Sequence, residues 1–192
     1  VFIPAYRDEI LSDTVMVYGN VDEVELVLNG KTIRRQTADK GPDSDYIPVP
    51  NGGNGKNLHF PPFTFYGVPK ERGVLKAVGY HQGKKVAEYT VKTPGVPERL
   101  DITYFESGKP ATKNDLLIVY VRMLDKQGVL CPVNGIPVEL SVQGGEIVGP
   151  TSYPLEAGVA SFLVRTGEIS KININATGKG FSTRKSLKVG KE

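Results

Sequence analysis

Two glutamates, Glu23 and Glu25, sit beside an apolar run in VYGNVDEVELVLNGK, residues 17–31. Paired carboxylates are what glycoside hydrolysis uses, one as acid and one as nucleophile or base. Here their spacing argues against that use. Val24, Leu26 and Leu28 alternate with Glu25 and Val27, a period of two that gives a strand one apolar face and one mixed face. Two residues along a strand span about 6–7 Å by rise alone, and charges on a strand's outer face are ordinary. Asn29-Gly30 follows, the dipeptide best suited to a tight hairpin turn, and Lys31-Thr32-Ile33 begins the return strand. The expectation is a half-buried hairpin with solvated glutamates.

The remaining chemistry-bearing residues are scattered. Asp39, Asp43 and Asp45 gather in DKGPDSD; the spacing lacks the glycine and terminal glutamate of a calcium loop, and a solvated turn is expected. GGNGKN, residues 52–57, has Asn57 where a phosphate loop needs Ser or Thr, and Pro50 where it needs its first glycine. NAT, residues 175–177, matches a glycosylation acceptor but falls in an expected strand. Cys131, the single cysteine, precedes a proline in an expected turn, with nothing nearby to lower its pKa. It excludes an intrachain disulfide. His59 precedes Phe60-Pro61-Pro62 and His81 lies in a hairpin turn, neither with a partner in view. One cysteine and two histidines fall short of the roughly four ligands of structural zinc, so no metal site and no cofactor is expected.

Composition narrows the class. The 192 residues are 39% hydrophobic and 23% charged, which fits a folded chain. The 22 glycines and 14 prolines leave no long helical pattern between them. With 24 basic and 21 acidic residues intermixed, the net charge of +3 is too mild for a nucleic-acid footprint. No apolar run approaches the roughly twenty residues that cross a bilayer. The chain opens on Val1-Phe2-Ile3-Pro4 and reads as a piece of a longer polypeptide.

The elements that would position these residues are all strands. In the first half, residues 14–20 alternate, the Glu23–Glu25 hairpin follows, residues 34–62 form a long polar loop, FTFYGV resumes as a strand, and residues 73–93 form a second hairpin turning at HQGK. In that hairpin Leu75 and Ala77 should face Ala87, Tyr89 and Val91. A loop as long as 34–62 is uncommon in a compact domain and is usually functional or an interaction element. Tyr46, Phe60, Phe63 and Tyr66 lie on or beside it, able to stack on a sugar or to act as packing anchors. Tyr46, His59 and Phe60 are the candidate carbohydrate-binding or docking residues. TPGVPE, residues 93–98, breaks the pattern and marks a boundary. Beyond it, Leu100, Ile102 and Tyr104, then Val119, Val121 and Met123, then Val138, Leu140 and Val142 (within 136–149), then Ala160, Phe162 and Val164, then Ile172, Ile174 and Ala176 should point inward, with 183–189 as an edge or closing strand. About seven short strands in this half fit an immunoglobulin-like sandwich. The fold class expected is all-β, two tandem immunoglobulin-like β-sandwich domains, 1–95 and 96–192.

VMVYGNVDEVELVLNGK, FPPFTF and GVLKAVGYHQGKKVAEYTVKTPGVPERL, in that order, closely resemble the C-terminal region of bacterial glycoside hydrolase family 2 enzymes of the β-galactosidase-like kind. The likeness covers residues 14–100. Gly19 and Val21 stand where that family often has Ser and Cys. The following stretch, through PVELSVQGG, is similar to bacterial immunoglobulin-like domains of invasin and intimin type. The resemblance implies an accessory region without catalytic residues, because the family's acid and nucleophile are glutamates on a (β/α)₈ barrel of about 250 residues. It implies the catalytic barrel of the parent chain, or a neighbouring subunit, as partner, and a bacterial periplasmic or secreted location. A carbohydrate-binding module that holds the enzyme on polysaccharide is the alternative, against which the absence of Trp argues. An adhesin-type spacer is a third reading.

Overall fold

A computed structural model describes residues 1–4, 12–39, 61–105 and 110–190. Tyr46, His59 and Phe60 lie outside these residues, as do Asp43, Asp45, GGNGKN and most of the loop expected over 34–62. The described residues form strands, turns and bends without a helix, and the chain divides into two compact units, Val1–Thr93 and Pro94–Glu192.

In the first unit, β1 (Val15–Val17) pairs with β4 (Phe63–Phe65). A four-stranded antiparallel sheet in the order β3-β2-β5-β6 is built from β2 (Glu23–Leu28), β3 (Lys31–Thr37), β5 (Val74–His81) and β6 (Lys84–Lys92). The period of two reaches the core intact: Val24, Leu26 and Leu28 are buried against Val15, Val17, Phe63, Phe65, Leu75 and Ala77. Leu75 pairs with Val91, Ala77 with Tyr89 and Gly79 with Ala87. Both hairpins close on two residues of positive φ, Asn29-Gly30 at 50° and 80° and Gln82-Gly83 at 48° and 75°. This turn geometry matches the right-handed twist of the flanking strands. The Asn29 side chain adds a clasp, accepting from Val74 N at 2.9 Å and donating to Arg72 O at 3.0 Å.

One boundary differs from expectation. Arg34–Thr37 continue β3 instead of opening the loop, because Arg34, Arg35, Gln36 and Thr37 each find a partner on β2. Polar residues suit this strand because it lies at the sheet edge, where charge discourages pairing with other chains.

The second unit is a sandwich of two four-stranded sheets. One has the order β10-β12-β8-β7, from β7 (Arg99–Tyr104), β8 (Leu116–Leu124), β10 (Gly145–Ile147) and β12 (Val159–Thr166). The other has the order β11-β9-β13-β14, from β9 (Pro137–Gln143), β11 (Ser152–Pro154), β13 (Lys171–Gly178) and β14 (Phe181–Lys188). Ile102, Val119, Val121, Met123, Val138, Val164, Ile172, Ile174 and Ala176 meet between them with essentially no exposure. β14 is the edge strand expected over 183–189.

The run 136–149 does not form one strand. It breaks at Gly144, with β9 in one sheet and β10 in the other. Gly144 takes φ +84°, and a Cβ there would lie 2.2 Å from the Ile169 side chain. Only glycine makes this corner without strain. Val138, Leu140 and Val142 point inward at even positions and Ile147 at an odd one, so the alternation changes phase across Gly144-Gly145, and that pair is the mark the switch leaves in the sequence.

Candidate functional site

The two glutamates that opened the chemical question sit on the outer face of the first sheet, each already engaged. On β2 and its neighbours, Glu23 lies opposite Tyr80 and Glu25 opposite Arg35. Arg35 Nη2 donates to Glu23 Oε2 at 2.6 Å, and its guanidinium lies 3.7 Å from the centre of the Tyr80 ring. The Thr32 hydroxyl donates to Glu25 Oε1 at 2.7 Å, and the Tyr80 hydroxyl donates to Oε2 at the same distance. These two hydroxyls, Thr32 first, hold the Glu25 carboxyl below its ordinary pKa despite some burial. The bond to Glu25 raises the Tyr80 phenol in turn. A general acid in glycoside hydrolysis needs the opposite shift and a partner carboxyl across a sugar-sized pocket. The chemistry of this face is that of a cross-linked strand surface, in which each carboxylate oxygen named holds a neighbouring strand in register.

A shallow groove beside these strands is lined by Asn20, Val21, Asp22, His81 and Val86, with neither glutamate on its wall. Asp22 Oδ1 and His81 Nδ1 are 3.1 Å apart, and Asp22 Oδ2 accepts from Gln82 N at 2.7 Å. The Gln82 amide, opposed by some burial and helped by His81, lowers the Asp22 carboxyl. His81 therefore has a partner, which sequence spacing could not show because the pairing spans 59 residues. Both side chains are more than half exposed, and the pair buttresses the β5–β6 turn.

The other candidates resolve into structural roles. Asp39 accepts from Thr64 N at 3.0 Å and Thr64 Oγ1 at 2.5 Å, which ties the end of β3 to β4. Among the described residues, no three His, Cys, Asp or Glu side chains come together to hold a metal. Asn175 faces outward on β13 with Ser141 Oγ 3.5 Å away. Cys131 is buried, with its Sγ 3.6 Å from Gly95 O. Burial, and then the charge of Asp125, push its thiol up, so a nucleophilic thiolate is disfavoured. Of the expected aromatic cluster, Phe63 is a core residue and Tyr66 is exposed.

One strongly organised group escaped the sequence reading. Asp125 is only 2% exposed, at the end of β8. Its carboxylate accepts from Gly95 N at 2.7 Å and Val129 N at 2.8 Å. Burial pushes this carboxyl up, but the amides of Gly95, Val129, Gln127 and Gly128 outweigh it, and the pKa lies below the ordinary value. Asp125 thus fixes both the DKQG turn and the segment that opens the second unit. The signal available in the sequence was only an Asp heading a turn.

Comparison with known proteins agrees with an accessory role. A family model described as "Domain of unknown function (DUF4982)" matches residues 12–87. The β-galactosidase of Thermoanaerobacter pseudethanolicus is 30% identical over 176 residues, covering 85% of this chain, and the chain spans only 22% of that relative's length. The β-galactosidase sequence of Rhizobium radiobacter is 30% identical over 129 residues, which make up 66% of this chain and 92% of the relative. A crystal structure of a family 2 glycosyl hydrolase from Bacteroides cellulosilyticus superposes with a TM-score of 0.70 at 25% identity, over 91% of this chain and 24% of that one. The chain belongs to glycoside hydrolase family 2, as an accessory β-sandwich region of such an enzyme.

Proposed function

We propose that the chain is a non-catalytic, C-terminal accessory region of a β-galactosidase-like bacterial enzyme, periplasmic or secreted, with a structural role toward the catalytic barrel. The observation that carries this reading is the state of Glu23 and Glu25. Both are locked to Arg35, Thr32 and Tyr80 on an open sheet face, and Glu25 has its pKa lowered where an acid would need it raised. The chain's match to about a fifth of the T. pseudethanolicus β-galactosidase supports a partner in the remainder of the parent polypeptide. The two units read as a family 2 C-terminal sandwich over 1–95 and an invasin-like immunoglobulin sandwich over 96–192.

Migration in native gels cast with galactans or other plant and algal glycans tests the reading against a carbohydrate-binding module. Unretarded migration is expected. Retardation abolished by replacing Tyr46, His59 or Phe60 would establish the binding module instead.

A further inference from the structure

The two outer faces of the second unit differ in kind. On the β11-β9-β13-β14 sheet, Glu139, Ser141 and Gln143 of β9 lie beside Asn173, Asn175 and Thr177 of β13, and these beside Ser182, Arg184 and Ser186 of β14. This is the polar carpet expected where an antiparallel sheet meets water.

The β10-β12-β8-β7 sheet breaks that rule. Leu163 on β12 pairs with Ile118 on β8. Val148, just past β10, donates its N–H to Leu163 O, and Phe105, just past β7, donates its N–H to Ile118 O. Val148, Leu163, Ile118 and Phe105 therefore form one apolar row across four strands. They are 37%, 36%, 43% and 60% exposed. Leu116, 51% exposed, widens the row on β8. Ion pairs flank it, Arg165 with Glu146 on one side and Arg122 with Asp101 on the other. Each flanking charge is neutralised by its own neighbour, so the face offers apolar area without a net field.

An apolar row that crosses one face from edge to edge, where the other face presents Glu139, Asn173, Asn175 and Arg184, is a patch fit to be covered. Size indicates by what. Three strand spacings of about 4.8 Å and about six residues of 3.4 Å each give a face of roughly 15 by 20 Å, or about 300 Å². Counting both sides, that falls well short of the ~1,200–2,000 Å² of a stable interface between free proteins. It lies near the low end of the ~600–1,500 Å² found between domains of one chain. Tethering compensates for a small area, because covalent linkage sets an effective concentration of about millimolar. The relatives supply the tether: the matched 176 residues are 22% of the T. pseudethanolicus β-galactosidase.

We propose that the outer face of the β10-β12-β8-β7 sheet, centred on Ile118 and Leu163, docks on an apolar surface of the catalytic region of its own polypeptide. This rests on the accessory-region reading above and assigns it a surface. Single-cysteine labelling tests it. Cys131 is buried, so Ile118→Cys and Leu163→Cys each place one accessible thiol on the row, and Ser141→Cys places one on the polar face as control. Maleimide labelling, located by peptide mass spectrometry, is followed in the 192-residue chain and in the full-length polypeptide. Labelling of Ile118→Cys and Leu163→Cys should be at least tenfold slower in the full-length protein, with Ser141→Cys unchanged. Equal rates in the two proteins, or equal slowing at all three positions, would overturn the proposal. So would labelling of the isolated chain that slows with its concentration as a dimer appears in sedimentation, since the occupant would then be a second copy. Hydrolysis of an aryl β-galactoside by the full-length protein is scored separately, so failure of the docking and failure of the hydrolase reading give different results.

Discussion

Removing the Asp125 carboxylate should loosen the start of the second unit more than any change on the glutamate face loosens the first. Asp125→Ala leaves Gly95 N and Val129 N, now bound at 2.7 and 2.8 Å, without their acceptor in a site that is 2% exposed. Hydrogen bonds to a charged group contribute about 1.5–3 kcal/mol each, and water entering the gap recovers part of that, so a net loss of about 3 kcal/mol is expected. For a unit of about 100 residues the unfolding entropy is near 0.2 kcal/mol/K, which converts that loss to a Tm lower by about 15 °C. The effect depends on pH in a defined sense. The folded carboxyl titrates below its unfolded value of about 3.9, so its contribution is complete well above that pH and is lost as pH falls through the folded pKa. Differential scanning calorimetry of wild type and variant at pH 7 and at steps down to pH 3 measures both. The gap in Tm should be widest at neutral pH and shrink below about pH 4. A neutral-pH gap under about 2 °C, or one that does not change with acid, would refute the reasoning.

Three further outcomes follow from the same geometry. Gly158→Ala should lower the Tm by more than about 10 °C, because Gly158 has φ +83° and a Cβ would lie 2.1 Å from Cys131 O, whereas Gly180→Asn, at φ +79° with nothing within 4 Å, should be close to neutral. Tyr80→Phe frees Glu25 of one hydroxyl, so the Glu25 carboxyl should titrate at higher pH by NMR, with the Tm little changed. Cys131 should react with a thiol reagent only as fast as the chain opens, so native labelling that matches the denatured rate would show the thiol is not held as described.

The fold was legible wherever the physics is local. Val24, Leu26 and Leu28 announce a half-buried strand by alternation alone, and Asn29-Gly30 and Gln82-Gly83 announce the turns through their tolerance of positive φ. The inward sets on β8, β12 and β13 follow the same way. What stayed hidden depends on partners distant in the chain. Arg35 reads as a loop residue until Glu23 and Tyr80 are brought beside it, and His81 reads as unpaired until Asp22 arrives from 59 residues away. The switch of sheet at Gly144 shows in the sequence only as a change of phase, the inward positions passing from even (Val138, Leu140, Val142) to odd (Ile147); that β9 and β10 join different sheets depends on β13 and β12, distant in the chain. The apolar row of the second unit is invisible for a related reason: Val148, Leu163, Ile118 and Phe105 are unremarkable one by one and become a surface only through register. The candidate residues Tyr46, His59 and Phe60 fall outside the described residues, and the reading of them rests on the sequence.

The central claim, that this region supports a glycoside hydrolase without doing its chemistry, is tested most directly by assaying the 192-residue chain on an aryl β-galactoside at high protein concentration, beside Glu23→Gln and Glu25→Gln. The account predicts release of phenol no faster than buffer for all three proteins. Turnover by the wild-type chain that persists through repeated purification and disappears in either glutamine variant would contradict it.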